Sequence, residues 1–226
     1  MTRKVTESMA QRLRAALAAP SASDRMQTAM AAGLRPEPGF VDVLVERCAV
    51  EPDFFVRDML TWALLQQDRP LTLRRVLPEL RSPVPQARSQ ALHTLSKLGD
   101  PSSWPALTDD LLHDADDEVA RTAWRAAAVL VPAEGAEVLA EALATQWGRG
   151  DRTTQRALSA ALVALGDASA AVIERAKQHR DEGIRTHATA TARLRDNPDE
   201  AFDSAIAAAQ RVAALRGAPL VGDLGV

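Results

Sequence analysis

Pro52-Asp53-Phe54-Phe55-Val56-Arg57-Asp58-Met59-Leu60-Thr61-Trp62-Ala63-Leu64 is the stretch whose reading decides the fold. It sets an Asp ahead of an aliphatic-Arg pair, then small or apolar residues three, six and seven positions after the Arg. On an α-helix those offsets share one face. Asp53 stands just before the apolar run, where a carboxylate accepts backbone N–H bonds and opposes the positive helix end. The stretch predicts a capped helix with one buried side.

Variants of it recur along the chain. Aligned on Arg57, the register reads Arg25, Arg57, Arg88, Ala120, Gln155 and Arg185, with steps of 32, 31, 32, 35 and 30 residues. Three positions later come Thr28, Leu60, Ala91, Ala123, Leu158 and Ala188. Seven positions later come Ala32, Leu64, Leu95, Ala127, Leu162 and Ala192. Asp53, Asp116, Asp151 and Asp181 precede four of these helices. A fixed period of this length marks stacked repeats, each too small to bury its own apolar face. The first and last copies match least well, as capping repeats should.

A second set of helices is predicted between the register helices, at residues 8–19, 40–50, 71–80, 104–113, 134–147 and 168–179. Pro20, Pro52, Gly148 and Gly150 stop them, and Pro78 should kink or shorten the third. Residues 199–215 predict a last Ala-rich helix, free to cap the final repeat or to pair with another chain. Residues 216–226, with Gly217, Pro219, Gly222 and Gly225, predict a flexible tail. The expected architecture is all-α: an α-solenoid of about six helix pairs, wound as a right-handed superhelix, filling 1–215 as a single domain.

Composition agrees. Apolar residues make up 46% of the chain and aromatic ones only 4%, with no Tyr, so the core must be built from Ala, Leu and Val. Ala and Leu are strong helix formers. The net charge of −3 disfavours a nucleic-acid partner, although a local basic patch is compatible with it. Lys4, Lys97 and Lys177 are the only lysines, so the positive charge is nearly all Arg. A single cysteine, Cys48, permits no internal disulfide and no Cys-based zinc site. Residues 1–10 carry no signal-peptide core, and no apolar run is long enough to span a membrane. The expected compartment is the cytoplasm.

The pattern Asp-x-x-Val-Arg-x-x-small-x-x-Ala-Leu at this period resembles HEAT repeats of the short bacterial, HEAT-like type. The resemblance covers residues 6–196 and is best at 53–64, 116–127 and 181–192. It departs at Val84, where Asp is expected, and at Ala120 and Gln155, where Arg is expected. Residues 47–64 also look like HEAT-like domains of bacterial proteins, some joined to MerR-type regulators, which implies a regulatory partner. In such repeats the register Arg is structural and pairs with an Asp of the adjacent repeat, a role that falls to Arg57 and Arg88. The resemblance further implies a curved stack whose second helices line a concave binding surface.

Offsets zero, one, four and five from the register residue should face that surface. They give Asp58, Trp62, His93, Arg121, Trp124, Arg125 and Arg156 as the candidate partner-binding residues. Trp and Arg dominate interface energetics, and Arg can pair with phosphate or stack on a ring. Trp62 and Trp124 have a second reading, as gap fillers in an aromatic-poor core.

Catalytic chemistry has little to stand on. The chain has no Gly-rich phosphate loop, no Gly-x-Ser-x-Gly turn and no His-Glu-x-x-His helix. His179 and His187 fall on either side of a predicted turn, and the acids at 114–118 sit where they would cap a helix. No catalytic residue, metal site or cofactor is assigned. Cys48 reads as a buried, inert thiol. The expected function is a non-enzymatic scaffold that binds a protein or peptide on its concave face, as an accessory to a regulator. The alternative is a nucleic-acid-binding protein similar to HEAT-like alkylpurine DNA glycosylases, with Asp58, Trp62, Trp124 and Arg125 in a groove.

Overall fold

The computed structural model describes residues 8–198 and 200–216, with side chains up to residue 211. The regular structure of the described residues is all helical, with no strand. Their contacts divide into two compact units, Met1–Leu130 and Val131–Val226. The first unit holds α1 (Met9–Ala16), α2 (Ala22–Leu34), α3 (Phe40–Cys48), α4 (Phe54–Leu65), α5 (Arg69–Val76), α6 (Pro85–Leu98), α7 (Asp109–Leu112) and α8 (Asp117–Leu130). The second holds α9 (Ala136–Ala144), α10 (Arg152–Ala164), α11 (Ala170–Ala176), α12 (Glu182–Asp196) and α13 (Phe202–Arg216).

All six register residues fall on helices of their own: α2, α4, α6, α8, α10 and α12. In the first unit α2, α4, α6 and α8 stack in that order, with α1, α3 and α5 packed behind them as an outer layer. In the second unit α10 stacks on α12, α12 on α13, and α9 pairs with α11 in the outer layer. The last helix caps α12: Phe202, Ala205, Ile206 and Ala209 form a buried cluster with Ala190. The expectation of a flexible tail at 216–226 lies outside the described residues, except that Arg216 ends α13.

Local sequence explains the helix ends. Asp53 accepts from the Val56 amide at 3.0 Å, Asp151 from Thr154 at 2.9 Å and Asp181 from Ile184 at 3.0 Å. Asp116 caps α8 through Glu118 and Val119. At α6 the cap is missing because Val84 has no acceptor, and Pro85 removes one orphan donor instead. Gly99 ends that helix at φ 61°, a left-handed turn natural to glycine. Pro78 tightens the end of α5 into a 3₁₀ turn, Leu77–Arg81, as its position predicts.

The continuous helix expected at 104–113 does not form. A 3₁₀ turn, Pro101–Ala106, holds Pro105, and only the single turn α7 follows. Pro105 lacks the N–H that a continued helix would need, and Leu107 leaves helical geometry with ψ 87°.

Small residues let the register helices approach. Ala63, Ala123, Ala126 and Ala188 are fully buried. Gly33 marks the closest approach: a Cβ there would lie 2.3 Å from the Trp62 ring. Glycine inside a helix costs stability, and here it makes room for the largest side chain of α4.

The register arginines act as ties within their own repeats. Arg25 Nη1 donates to the carbonyls of Ala19 and Pro20, Arg57 to those of Glu51 and Pro52, and Arg185 to those of His179 and Arg180, all at 2.7–3.0 Å. Arg88 reaches Ser82 in the same way at 2.8 Å. Each guanidinium therefore satisfies the loop that enters its own helix. Arg25 and Arg88 also fork onto a carboxylate 26 residues ahead, Glu51 and Asp114 respectively. The partner is thus a loop acid, while the capping Asp serves its own helix. Arg57 makes no such bridge, because the position six residues before the next register residue, held by Glu51 and Asp114 in the other two cases, is Ser82. The Asp–Arg ladder is broken where the sequence departs from the pattern.

Glu51 is the centre of this network. Its side chain is fully buried, and it receives two bonds from Arg25, two from Arg47 and one from the Asp53 amide, at 2.6–2.9 Å. Burial pushes its pKa up, but the bonds from Arg25, the Asp53 amide and Arg47 outweigh that and hold it at about 2. Removing one partner of a buried ion pair strands the others. Glu51→Ala should cost roughly 3–5 kcal/mol in urea unfolding. Because the folded-state pKa is depressed, the Glu51 contribution is complete above pH 4.5 and is lost as pH falls toward 2. A variant as stable as the parent at neutral pH would refute the central role of this carboxylate.

Candidate functional site

Within the first unit, α4 and α6 have a register helix on either side and the outer layer behind them. That covers most of each helix. The open stripe lies one, five and nine positions after the register residue, because at 100° per residue these share a face. On α2 the stripe is Met26, Met30 and Leu34, all exposed. On α4 it is Asp58, Trp62 and Gln66, and on α6 the exposed end is His93 and Lys97. On α8 it is Arg121, Arg125 and Val129.

Five of the seven predicted residues lie on this face, and three of them, Asp58, His93 and Arg125, act on one another. His93 Nε2 lies 3.8 Å from Asp58 Oδ1, and the Arg125 and Lys97 charges act on the same ring. Burial lowers the His93 pKa first, Arg125 and Lys97 lower it further, and Asp58 opposes them. Asp58 and Arg125 are exposed, while Trp62 and His93 are half-buried. Arg121 is engaged by Glu118, three residues before it. Arg156 is exposed on α10, in the second unit.

Trp124 is a correction. It is 0% exposed, and its indole N–H donates to the Leu112 carbonyl at 2.9 Å. Offset four as a whole turns inward: Thr61, Leu92 and Ser159 are buried as well. Its direction is only about 40° from the register residue, well away from the open stripe at about 100–180°. With Trp124 in the core, the glycosylase-like set of Asp58, Trp62, Trp124 and Arg125 does not assemble.

The stripe on α2 was legible but not drawn from the sequence: offsets one and five applied to Arg25 give Met26 and Met30. A further exposed pair, Phe54 and Phe55, packs edge to face at the start of α4, 5.6 Å between ring centres. Its signal was also present, since Phe54 lies one helical turn before the exposed Asp58.

Two further titratable groups, His187 and Cys48, are buried in the structure. His187 is buried in the second unit, between Trp147 and Phe202. The Gly148 amide donates to its Nδ1 at 3.2 Å, so Nε2 carries the proton and faces the Gln155 carbonyl at 2.9 Å and Ser159 Oγ at 3.0 Å. Burial drives its pKa down to about 4, with the Arg152 charge adding and the Gln155 carbonyl opposing. Cys48 is buried, which is the main reason its thiol is pushed up to about 12. Among the described residues, no three His, Cys, Asp or Glu side chains gather as a metal site. No described helix is long and apolar enough to cross a membrane.

No family model matches the chain. No curated protein matches it either. Solved structures similar in fold include an engineered protein at 17% identity and TM-score 0.46, covering 88% of this chain and 98% of that one. Human deoxyhypusine hydroxylase in complex with glycerol aligns at 14% identity and TM-score 0.44, over 91% of this chain and 96% of that one. The complex of CpcE and CpcF of phycocyanin lyase from Nostoc aligns at 15% identity and TM-score 0.38, over 94% of this chain and 97% of that one.

The buried His187 makes stability depend on pH. A folded pKa of about 4 against an ordinary 6.5 means that the unfolded chain binds more protons between those values. Stability should therefore be complete above pH 6.5 and decline as pH falls toward 4. Urea unfolding across that range should show the slope, and a non-titrating His187→Asn variant should flatten it. An unchanged slope in the variant would assign the effect to other groups.

Proposed function

We propose that this chain is a binding scaffold whose register-helix face captures a protein or peptide segment. The carrying observation is the open stripe of the first unit, where Met26, Met30, Leu34 and half-buried Trp62 share a face with His93, Lys97 and Arg125. Apolar side chains exposed together on one face mark interaction surfaces in soluble proteins. Methionine suits such a face because its unbranched chain adapts to its partner. The four histidines each have a partner in the fold: His187 three bonding groups, His93 Asp58 at 3.8 Å, His113 the Asp109 carbonyl and His179 the Asp181 amide. The reading extends to a HEAT-like array over 1–215, working in the cytoplasm as a partner of a regulator, with no cofactor.

Affinity capture with crosslinking in the native cell tests this, comparing the parent chain with Trp62→Ala plus Met30→Ser. The doubly substituted chain should keep its helicity and lose its captured proteins. If the same proteins are recovered in the same amounts, the register-helix face is not the site.

A further inference from the structure

The face has two chemically distinct ends. At α2 every residue of the stripe is apolar: Met26 is 36% exposed, Met30 43% and Leu34 67%. Trp62, on the next helix, lies over Gly33 and continues that surface. At α6 and α8 the stripe turns basic, with Lys97 and Arg125 both exposed. Among the described residues neither cation has a salt bridge to an acid, whereas Arg121 beside them is held by Glu118. Neighbouring helices in such a layer lie about 8–10 Å apart. The step from the apolar to the basic end therefore spans about 25–30 Å, roughly three such spacings.

Resting on the scaffold reading above, we infer that the occupant is a peptide segment with apolar side chains at one end and Asp or Glu at the other. Its apolar end seats on Met26, Met30, Leu34 and Trp62, and its carboxylates meet Lys97 and Arg125. The charge pattern decides against nucleic acid. Asp58 stands exposed in mid-face, 3.8 Å from His93, and would repel a phosphate backbone crossing from one end to the other. The α2 stripe itself, Met26, Met30 and Leu34, carries no ring and no cation, and the ring beside it, Trp62, is half-buried. A peptide meets both ends because each of its residues can be chosen separately. Complementary charge fixes its direction along the face and speeds its capture.

Panning a random peptide display library against the full chain provides the test, followed by fluorescence anisotropy with the enriched peptides. Enriched sequences should pair an apolar cluster with an acidic one, and their binding should weaken with added salt. Lys97→Glu with Arg125→Glu should weaken them about tenfold or more, with melting unchanged, and should turn a second panning toward Lys- and Arg-bearing sequences. Met30→Asp should weaken the same peptides independently of salt. Enriched peptides that lack acids, or that ignore the double charge reversal while responding to Met30→Asp, would overturn the inferred chemistry and leave the scaffold reading standing. If nothing enriches, or if binding ignores both variants, the scaffold reading falls with it. A DNA oligonucleotide that binds through Lys97 and Arg125 where no peptide does would also overturn the inference.

Discussion

A carboxylate that never meets solvent organises the first unit. Glu51 belongs to the loop between α3 and α4, yet it is gripped by Arg25 of the preceding repeat and Arg47 of its own. Its own carbonyl accepts from Arg57 and from Gln86 of the following repeat. Three consecutive repeats are thus joined at one residue. A buried ion pair is poor evidence of net stability by itself, since desolvation offsets attraction. Its effect here is registration: a bidentate fork accepts only one placement of one repeat on the next. Arg88 and Asp114 repeat the arrangement one step further along.

Because the stack is registered by loop residues and by small buried side chains, most of the outward stripe stands outside those contacts, with Trp62 over Gly33 as the exception. Met26, Met30, Asp58, Lys97 and Arg125 can vary without disturbing the alanines behind them. That separation is why the scaffold and its surface have to be argued apart. His93 sits at the boundary, half in the layer and half on the face, and its charge state is set by both.

The fold was legible because its signal is repeated. Six register residues predicted six helices, and the capping Asp residues marked where four of them begin. The errors came from positions where local and tertiary demands differ. Residues 104–113 were expected to form one helix, but Pro105 sits inside a 3₁₀ turn that a helix could not continue. The register Arg was expected to pair with an Asp of the adjacent repeat; Arg88 does so through Asp114, whereas Arg57 finds no acid at the corresponding loop position. Trp124 misled because direction around a helix was judged from the register face alone. A helix flanked on both sides has a narrower open face than one lying on a flat core. That geometry admits Asp58 and Arg125 to the surface and sends offset four inward. The stripe on α2 went unread for a different reason, since apolar residues at a solvent position look like core in any sequence.

The register arginines also bear on how the chain reaches its native state. Their ties to loop carbonyls span only five or six residues. Closing so short a loop costs little chain entropy, and it can happen before any distant contact has formed. Each such tie orders the entry to one helix without waiting for the next repeat. A chain built this way has low contact order, a property that goes with rapid folding. Assembly can begin at any repeat and spread to its neighbours, with the longer Arg25–Glu51 and Arg88–Asp114 bridges fastening one repeat to the next as it arrives.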